Sequence, residues 1–384
     1  MKKIAVVTAT RAEYGLLSPV IRELRKHENG YLNVQLIVTG THLSEGYGET
    51  IKEIEERIDH KISIPTDSSS EFDISKNQAE ALIKFTDLFL KEQFNAVLLL
   101  GDRYENLAVA IAAGNTRTPV FHLCGGDTTE GALDEWIRHS ITKISYLHFT
   151  TNEQSRKRVV QLGEDPARVF NFGSTSIDNI MTVADMSKDV ALASIGLGKC
   201  KYAVCTYHPV TMEGGSVDTQ MEEFLEAIKA FPSIQFVATK SNADQGGARI
   251  NELLDAAAEK INNLIVFTSL GIRRYLSLMK YSEFVLGNSS SGIIETPALH
   301  VPTVNIGDRQ RGRLQSASII NCGTSAGEII AAINKAMSEK HKLVCKTVVS
   351  PYGDGHAAEQ IAAKSIETVL QDQIDLKKKF YDIY

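Results

Sequence analysis

The chain has 384 residues, 43% of them hydrophobic and 23% charged, an ordinary composition for a globular protein long enough to build two cores. Its formal charge of −6 supplies no general attraction for nucleic acid or an anionic membrane, so an anionic ligand has to be held by a local cluster. The five cysteines (Cys124, Cys200, Cys205, Cys322, Cys345) are scattered and never form a C-x-x-C pair, which argues against a disulfide framework or a zinc knuckle and fits a reducing cytoplasm.

The opening "MKKIAVVTAT" has an apolar run of only Ile4 to Val7 and reads as a first buried strand, not a signal peptide. No later segment is apolar for long enough to span a bilayer. Strands are expected at Ile4–Thr8, Val34–Thr39, Ala96–Leu100, Val120–Leu123 and Leu147–Thr150. Amphipathic helices are expected between them at Leu16–Lys26, Ile74–Gln93 and Glu105–Ala113. That is βαβ rhythm, and it implies a parallel sheet covered on both faces. After a more polar stretch around Met186–Lys201 the rhythm resumes, with strands at Tyr202–Thr206, Ile234–Ala238, Leu264–Phe267, Glu283–Leu286 and Thr303–Ile306. Helices are expected there at Gln220–Ala230, Arg249–Lys260 and Gly327–Met337.

The expected fold class is α/β: two Rossmann-like doubly wound domains facing a central cleft, with the carboxyl ends of both sheets toward it. The boundaries fall at 1–185, 186–365 and a tail, 366–384, returning to the first domain.

Chemistry is expected where strands end. "GNSSSGIIE" follows the strand Glu283–Leu286. Small residues and free backbone N–H groups make that turn a candidate anion site, with Ser289 or Ser290 as a plain helix cap the alternative. No Lys follows the glycine, so it is not a P-loop. Pro297 should kink or delay the helix.

"TATRAEYG" places Arg11 and Glu13 after the first strand. "YHPVT" places His208 after the first strand of the second domain, and "NIGDRQRGR" places Arg309, Arg311 and Arg313 after its last. Arginine bridges phosphate oxygens in bidentate fashion, so these converge as a diphosphate clamp. Glu295 suits the two hydroxyls of a ribose. A second cluster, in "LLLGDRYE" and "HLCGGDTTEGALDEWIRHSITKISYLH", is acidic: Asp102, Arg103, Glu105, His122, Asp127, Glu130, Asp134, Arg138, His139 and His148. Asp102 and Asp127 follow strand ends, where partial desolvation would raise a carboxylate's pKa and suit it to proton transfer. Arg138 lies four residues after Asp134, the spacing of an ordinary helical ion pair.

Together these six motifs, in this order and across most of the chain, resemble the hydrolysing UDP-N-acetylglucosamine 2-epimerases of bacterial sialic-acid synthesis. The resemblance implies the glycosyltransferase-B arrangement, with a C-terminal helix (Ala357–Gln371) crossing back to the first domain. It also implies release of UDP with inversion at C2 of the sugar. By motif, Arg11, His208, Ser289, Ser290, Gly292, Glu295 and Arg309 would hold UDP, and Asp102, Asp127, Glu130, Asp134 and Arg138 would surround the sugar, with Asp102 the first candidate for proton transfer. No metal or other cofactor is implied, nor nucleic acid or membrane; the expected partners are a UDP-sugar and further copies of the chain, as a homo-oligomer (dimer or tetramer).

Two departures stand out: Cys124 and Asp127 occupy positions where many relatives have Glu. They leave open which residue is acid and which base, and whether the sugar is N-acetylglucosamine or a 2,4-diacetamido-2,4,6-trideoxy sugar on the way to legionaminic acid. The residues alone also admit a glycosyltransferase, or a metal-dependent hydrolase using Asp102, His122, Asp127 and His148.

Overall fold

A computed structural model of the chain describes residues 1–45, 49–66, 70–128, 133–209, 217–241 and 247–383. It divides into two compact units, Met1–Asp178 with Tyr352–Tyr384, and Asn179–Pro351.

The first unit is built on a seven-stranded parallel sheet of β1 (Lys2–Thr8), β2 (Leu32–Thr39), β3 (His60–Ile62), β4 (Ala96–Leu100), β5 (Val120–Leu123), β6 (Leu147–Thr150) and β7 (Val169–Asn171). The strand order is β3-β2-β1-β4-β5-β6-β7. Its helices include α1 (Arg11–Lys26), α2 (Glu71–Glu92), α3 (Tyr104–Asn115), α4 (Leu133–Ile144) and α5 (Glu153–Gln161). β4 is buried along its whole length, as expected of a strand covered on both faces. On one face Leu17, Ile21, Phe121 and Ile361 share a core; on the other, Phe85, Phe89, Val109 and Ile141 do.

The second unit repeats the plan with six parallel strands, β8 (Tyr202–Thr206), β9 (Gln235–Thr239), β10 (Leu264–Phe267), β11 (Val285–Gly287), β12 (Thr303–Ile306) and β13 (Ile319–Cys322), ordered β10-β9-β8-β11-β12-β13. In both sheets the order reverses beside the first strand, between β1 and β4 and between β8 and β11. Such a switch point is where doubly wound sheets bind ligands.

One helix start departs from the sequence expectation, and two prolines are accommodated in different ways. α1 begins at Arg11 instead of Leu16, because Thr10 caps it: Thr10 Oγ1 accepts from the Glu13 N–H at 3.3 Å, while Glu13 Oε2 reaches back to the Ala9 N–H at 2.7 Å, a variant of the capping box. The same helix runs through Pro19; the Gly15 carbonyl, which proline cannot serve, accepts from the Ser18 hydroxyl at 3.4 Å. Pro297 does break its helix, leaving two single turns, Ser291–Ile294 and Thr296–Leu299.

Residues 352–365, given to the second domain by the sequence rhythm, belong instead to the first unit, and residues 179–185, given to the first domain, belong to the second unit. The C-terminal helix Ala357–Leu370 contributes Ile361 and Ala362 to the core shared with α1. Its first turn is capped by Asp178, whose Oδ1 accepts from the Ala358 N–H at 2.8 Å. The tail beyond continues on this unit, with Lys378 Nζ donating to the Ser145 carbonyl at 2.7 Å and the Tyr381 N–H to Gly163 at 2.9 Å. No helix among the described residues is long and apolar enough to cross a membrane.

Candidate active site

At the switch point of the first sheet the chain turns out of β4 at Gly101 and presents Asp102. Arg138, on α4, reaches it across the sheet edge: one guanidinium nitrogen donates to Asp102 Oδ2, the other to Glu135 Oε2 at 3.1 Å and to the Asp127 carbonyl at 2.8 Å. The Arg138 side chain is 3% exposed and Asp102 27%. A buried guanidinium thus ties together β4, the β5–α4 turn and α4, a cation kept in place by charge-assisted bonds on all sides. The simple i,i+4 reading of Asp134–Arg138 is therefore incomplete: Arg138 bonds Asp102 and Glu135, and Asp134 stands half-buried one turn away. Glu130 lies outside the described residues.

Asp127 is held by two hydroxyls that sequence reading passed over. Thr151 Oγ1 and Ser155 Oγ both donate to its Oδ1, at 2.9 and 2.5 Å. Cys124 begins the turn with φ +64, in the left-handed region that a side chain rarely adopts.

Near Asp102 lies a second, buried layer, in which Glu13 takes a place other than the expected one. Glu13 is 5% exposed, not a surface carboxylate, and Asn106 Nδ2 bridges its Oε1 at 2.9 Å to the Leu100 carbonyl at 2.7 Å. Burial pushes the Glu13 carboxyl up to about 7, against the lowering pull of Arg103 and with the nearby charges of Glu105 and Asp102 adding to the rise. Arg103 pairs with the fully buried Glu105 at 3.0 Å, which holds Glu105 as a structural carboxylate. The T-x-x-E spacing was the available signal for Glu13; Asn106 sits within the "GDRYEN" run with no pattern of its own.

The histidines of this region are structural. His122 Nε2 donates to the Gly101 carbonyl at 2.8 Å, and Thr142 lies at 3.3 Å from Nδ1. His148 pairs with Glu164 at 3.1 Å, both fully buried. Both imidazoles named in the metal-hydrolase reading are thus bonded within the fold, and among the described residues no group of three His, Cys, Asp or Glu is placed to hold a metal ion. His139 contacts Glu135 at 3.2 Å.

Buried imidazoles leave a pH signature. Burial lowers His42, which bridges Thr8 and Thr50, to about 4 and His122 to about 3. Each folds neutral but would take up a proton below about 6.5 when unfolded, so its contribution is full above that pH and is lost as pH falls toward the folded value. Glu13 works in the opposite sense: with its folded pKa raised to about 7, the fold loses stability as pH rises from 4.5 to 7. The two histidine terms outweigh the one carboxyl. Urea unfolding followed by Trp136, the single tryptophan, is expected to show stability rising from pH 5 to 6 by about 1.4 kcal/mol per net proton. Glu13→Gln should steepen that rise; a flatter profile in the variant would contradict the sign given to Glu13.

In the second unit the switch point gathers three loops on Asn288, which is fully buried. Its side chain pairs with the His208 backbone in both directions, the His208 N–H to Oδ1 at 2.7 Å and Nδ2 to the His208 carbonyl at 2.8 Å. Its own carbonyl accepts from Arg309 at 3.1 Å and from Gln310 Nε2 at 2.8 Å. Gly287 makes this approach feasible: at φ +134, a Cβ there would lie 2.0 Å from the Thr206 carbonyl oxygen. His208 Nδ1 is 3.0 Å from the Ser241 hydroxyl. Neither Asn288 nor Gln310 was singled out from sequence.

Other expected members fare differently. Ser289 and Ser290 open a helix of one turn, so the helix dipole contributes little there; what the turn offers is hydroxyls and backbone N–H groups. Gly292 packs: a Cβ there would sit 2.9 Å from Thr303 Cγ2. Glu295 is half-buried at the junction of the two short turns, close enough for its charge to add to the burial that pushes the Tyr275 hydroxyl up to about 12. Arg311 is solvent-exposed, 3.7 Å from Asp308, and Arg313 is half-exposed. In the first unit Arg11 is 54% exposed beside Glu53.

The family model for UDP-N-acetylglucosamine 2-epimerase matches residues 22–365. The chain belongs to the UDP-N-acetylglucosamine 2-epimerase family. It is 38% identical to an Escherichia coli polysialic acid biosynthesis protein, over 100% of this chain and 98% of that one. It is also 38% identical to a hydrolysing GDP/UDP-N,N'-diacetylbacillosamine 2-epimerase of Campylobacter jejuni, over 100% and 99%. A crystal structure from Listeria monocytogenes, of a protein described as a UDP-N-acetylglucosamine 2-epimerase, shares the fold at 17% identity with a TM-score of 0.79 over 100% of both chains. The reaction class of the chain is thus that of the sugar-nucleotide 2-epimerases.

Proposed function

We propose that the chain is a hydrolysing 2-epimerase that converts UDP-N-acetylglucosamine and water to N-acetylmannosamine and UDP, in the cytoplasm, for sialic-acid-type sugar synthesis. The observation that carries the reading is the joining of Asp102 and the Asp127 turn on the buried Arg138, a carboxylate centre at a switch point within a chain of this family.

The C2 proton of a sugar with no adjacent carbonyl is barely acidic. Stretching the C1–O bond to UDP first puts positive charge at C1 and makes that proton removable. His208, Ser289, Ser290 and Arg309 stabilise the leaving diphosphate and Glu295 takes the ribose; Arg11 is assigned to UDP by its motif alone. Asp102, Asp127 and Asp134, oriented by Arg138, supply proton transfer, and Glu130 belongs to the same set by its motif. Water then adds across the glycal, and C2 is reprotonated on the opposite face. Neither metal nor other cofactor has a part. Exposed apolar side chains of the first unit, Ile83 and Leu90 on α2 and Trp136 on α4, at 70%, 62% and 52%, support a homo-oligomer.

A second substrate is favoured by one finding, the equal identity to the Campylobacter enzyme: UDP-2,4-diacetamido-2,4,6-trideoxyglucose, processed by the same steps. Incubation of the protein with each nucleotide in D₂O, followed by NMR, tests both. The expected product is manno-configured with deuterium at C2, from one substrate far faster than from the other. A gluco product, or retention of the original C2 hydrogen, would reduce the activity to simple hydrolysis. Release of UDP only on adding an acceptor would make it a glycosyltransferase.

A further inference from the structure

We propose that the first turn of α5 is the platform that positions Asp127, with Thr151 and Ser155 as positioning residues that anchor one carboxylate oxygen and so present the other to the sugar. This rests on the catalytic role proposed for Asp127.

The turn carrying Asp127 lies against α5 with no room to spare. Gly126 has φ +79, and a Cβ there would fall 2.2 Å from the Ser155 carbonyl oxygen and 2.9 Å from Val159 Cγ2, so only glycine allows the approach. Two arginines pin the turn's carbonyls from different helices: Arg158 of α5 donates to Gly126 at 3.1 Å, Arg138 of α4 to Asp127 at 2.8 Å.

The carboxylate is then fixed by a directed chain. Asn152 caps α5 through Oδ1, accepting from the Ser155 N–H at 2.9 Å, and its Nδ2 donates to Thr151 Oγ1 at 3.0 Å. Because that hydroxyl oxygen already accepts, its single proton is committed outward, to Asp127 Oδ1 at 2.9 Å. Ser155 Oγ adds a second donor to the same oxygen at 2.5 Å. Thr151, Asn152 and Ser155 are 4%, 3% and 1% exposed, so water does not compete for these bonds. Among the described residues no group donates to Oδ2, while Asp127 itself is only half-buried. The two oxygens are therefore inequivalent, and the proton exchanged with C2 of the sugar passes through Oδ2, in whichever direction Asp127 works.

The test compares Ser155→Ala, Thr151→Val, which keeps the shape and removes the hydroxyl, and Thr151→Ser, which keeps the hydroxyl. Each is made in the wild type and in Asp127→Asn, with UDP release measured from UDP-N-acetylglucosamine and from the diacetamido nucleotide. Ser155→Ala and Thr151→Val should each lower kcat roughly tenfold through misplacement of the carboxylate, with KM nearly unchanged and melting temperature recorded to separate folding losses. Thr151→Ser should restore most of the rate. On Asp127→Asn, itself slow, the same changes should have almost no further effect. Full kcat in both hydroxyl-deleted variants beside a slow Asp127→Asn overturns the positioning role, as does a tenfold loss that persists on top of Asp127→Asn. An Asp127→Asn enzyme as fast as wild type overturns the catalytic role of Asp127 first and the platform with it.

Discussion

Asp102→Asn is expected to slow turnover at least about a hundredfold while leaving UDP affinity near that of the wild type. The amide keeps the shape of the side chain but cannot take a proton at neutral pH. It also leaves Arg138, 3% exposed, facing a neutral group where a carboxylate had balanced it. Glu135 at 3.1 Å then remains as a partner, so a stability loss of about 1–3 kcal/mol should accompany the kinetic one. The two effects separate on measurement: kcat and deuterium incorporation at C2 report the chemistry, the melting temperature reports the weakened pairing of the guanidinium, and calorimetry with UDP reports the other unit. Turnover within a few-fold of wild type would remove Asp102 from proton transfer. Loss of UDP binding in step with kcat would mean that the substitution acts on the clamp.

The strands most legible in the sequence were those flanked on both sides in a sheet. β4, β5, β6, β8, β10 and β12 start and stop where their β-branched runs do, and all but β10 are interior. The strands missed, β3, β7 and β13, are all edges of three or four residues. An edge strand is covered by fewer neighbours, so its sequence carries less of the apolar run by which strands are recognised.

The site divides in a similar way. Residues that announce themselves by type and by place after a strand, such as Asp102 and His208, were legible. Those that hold them were not. Arg138 suggested Asp134 because four residues make a helical pair, yet it bonds Asp102, 36 positions away. That contact depends on the pairing of β4 with β5, which no local pattern encodes. Thr151, Ser155, Asn106 and Asn288 are ordinary polar residues whose importance lies in bonds made across the fold.

Asn288 should show the consequence in binding. Asn288→Ala removes both bonds to the His208 backbone, at 2.7 and 2.8 Å, while its own carbonyl still serves Arg309 and Gln310. The clamp would then keep all its proposed ligand-facing groups and lose what fixes His208 relative to Ser289 and Ser290. Losing two bonds to buried backbone groups costs roughly 2–4 kcal/mol, so UDP affinity should fall by about ten- to a hundredfold and the melting temperature should drop. Asn288→Asp is the sharper variant. It retains the acceptor for the His208 N–H but sets a carboxylate oxygen against the His208 carbonyl, where an amide had donated, so it should bind UDP no better than the alanine variant despite its closer shape. Calorimetric UDP affinity unchanged in both variants would show that the geometry of these loops is held by other bonds and that Asn288 serves stability alone.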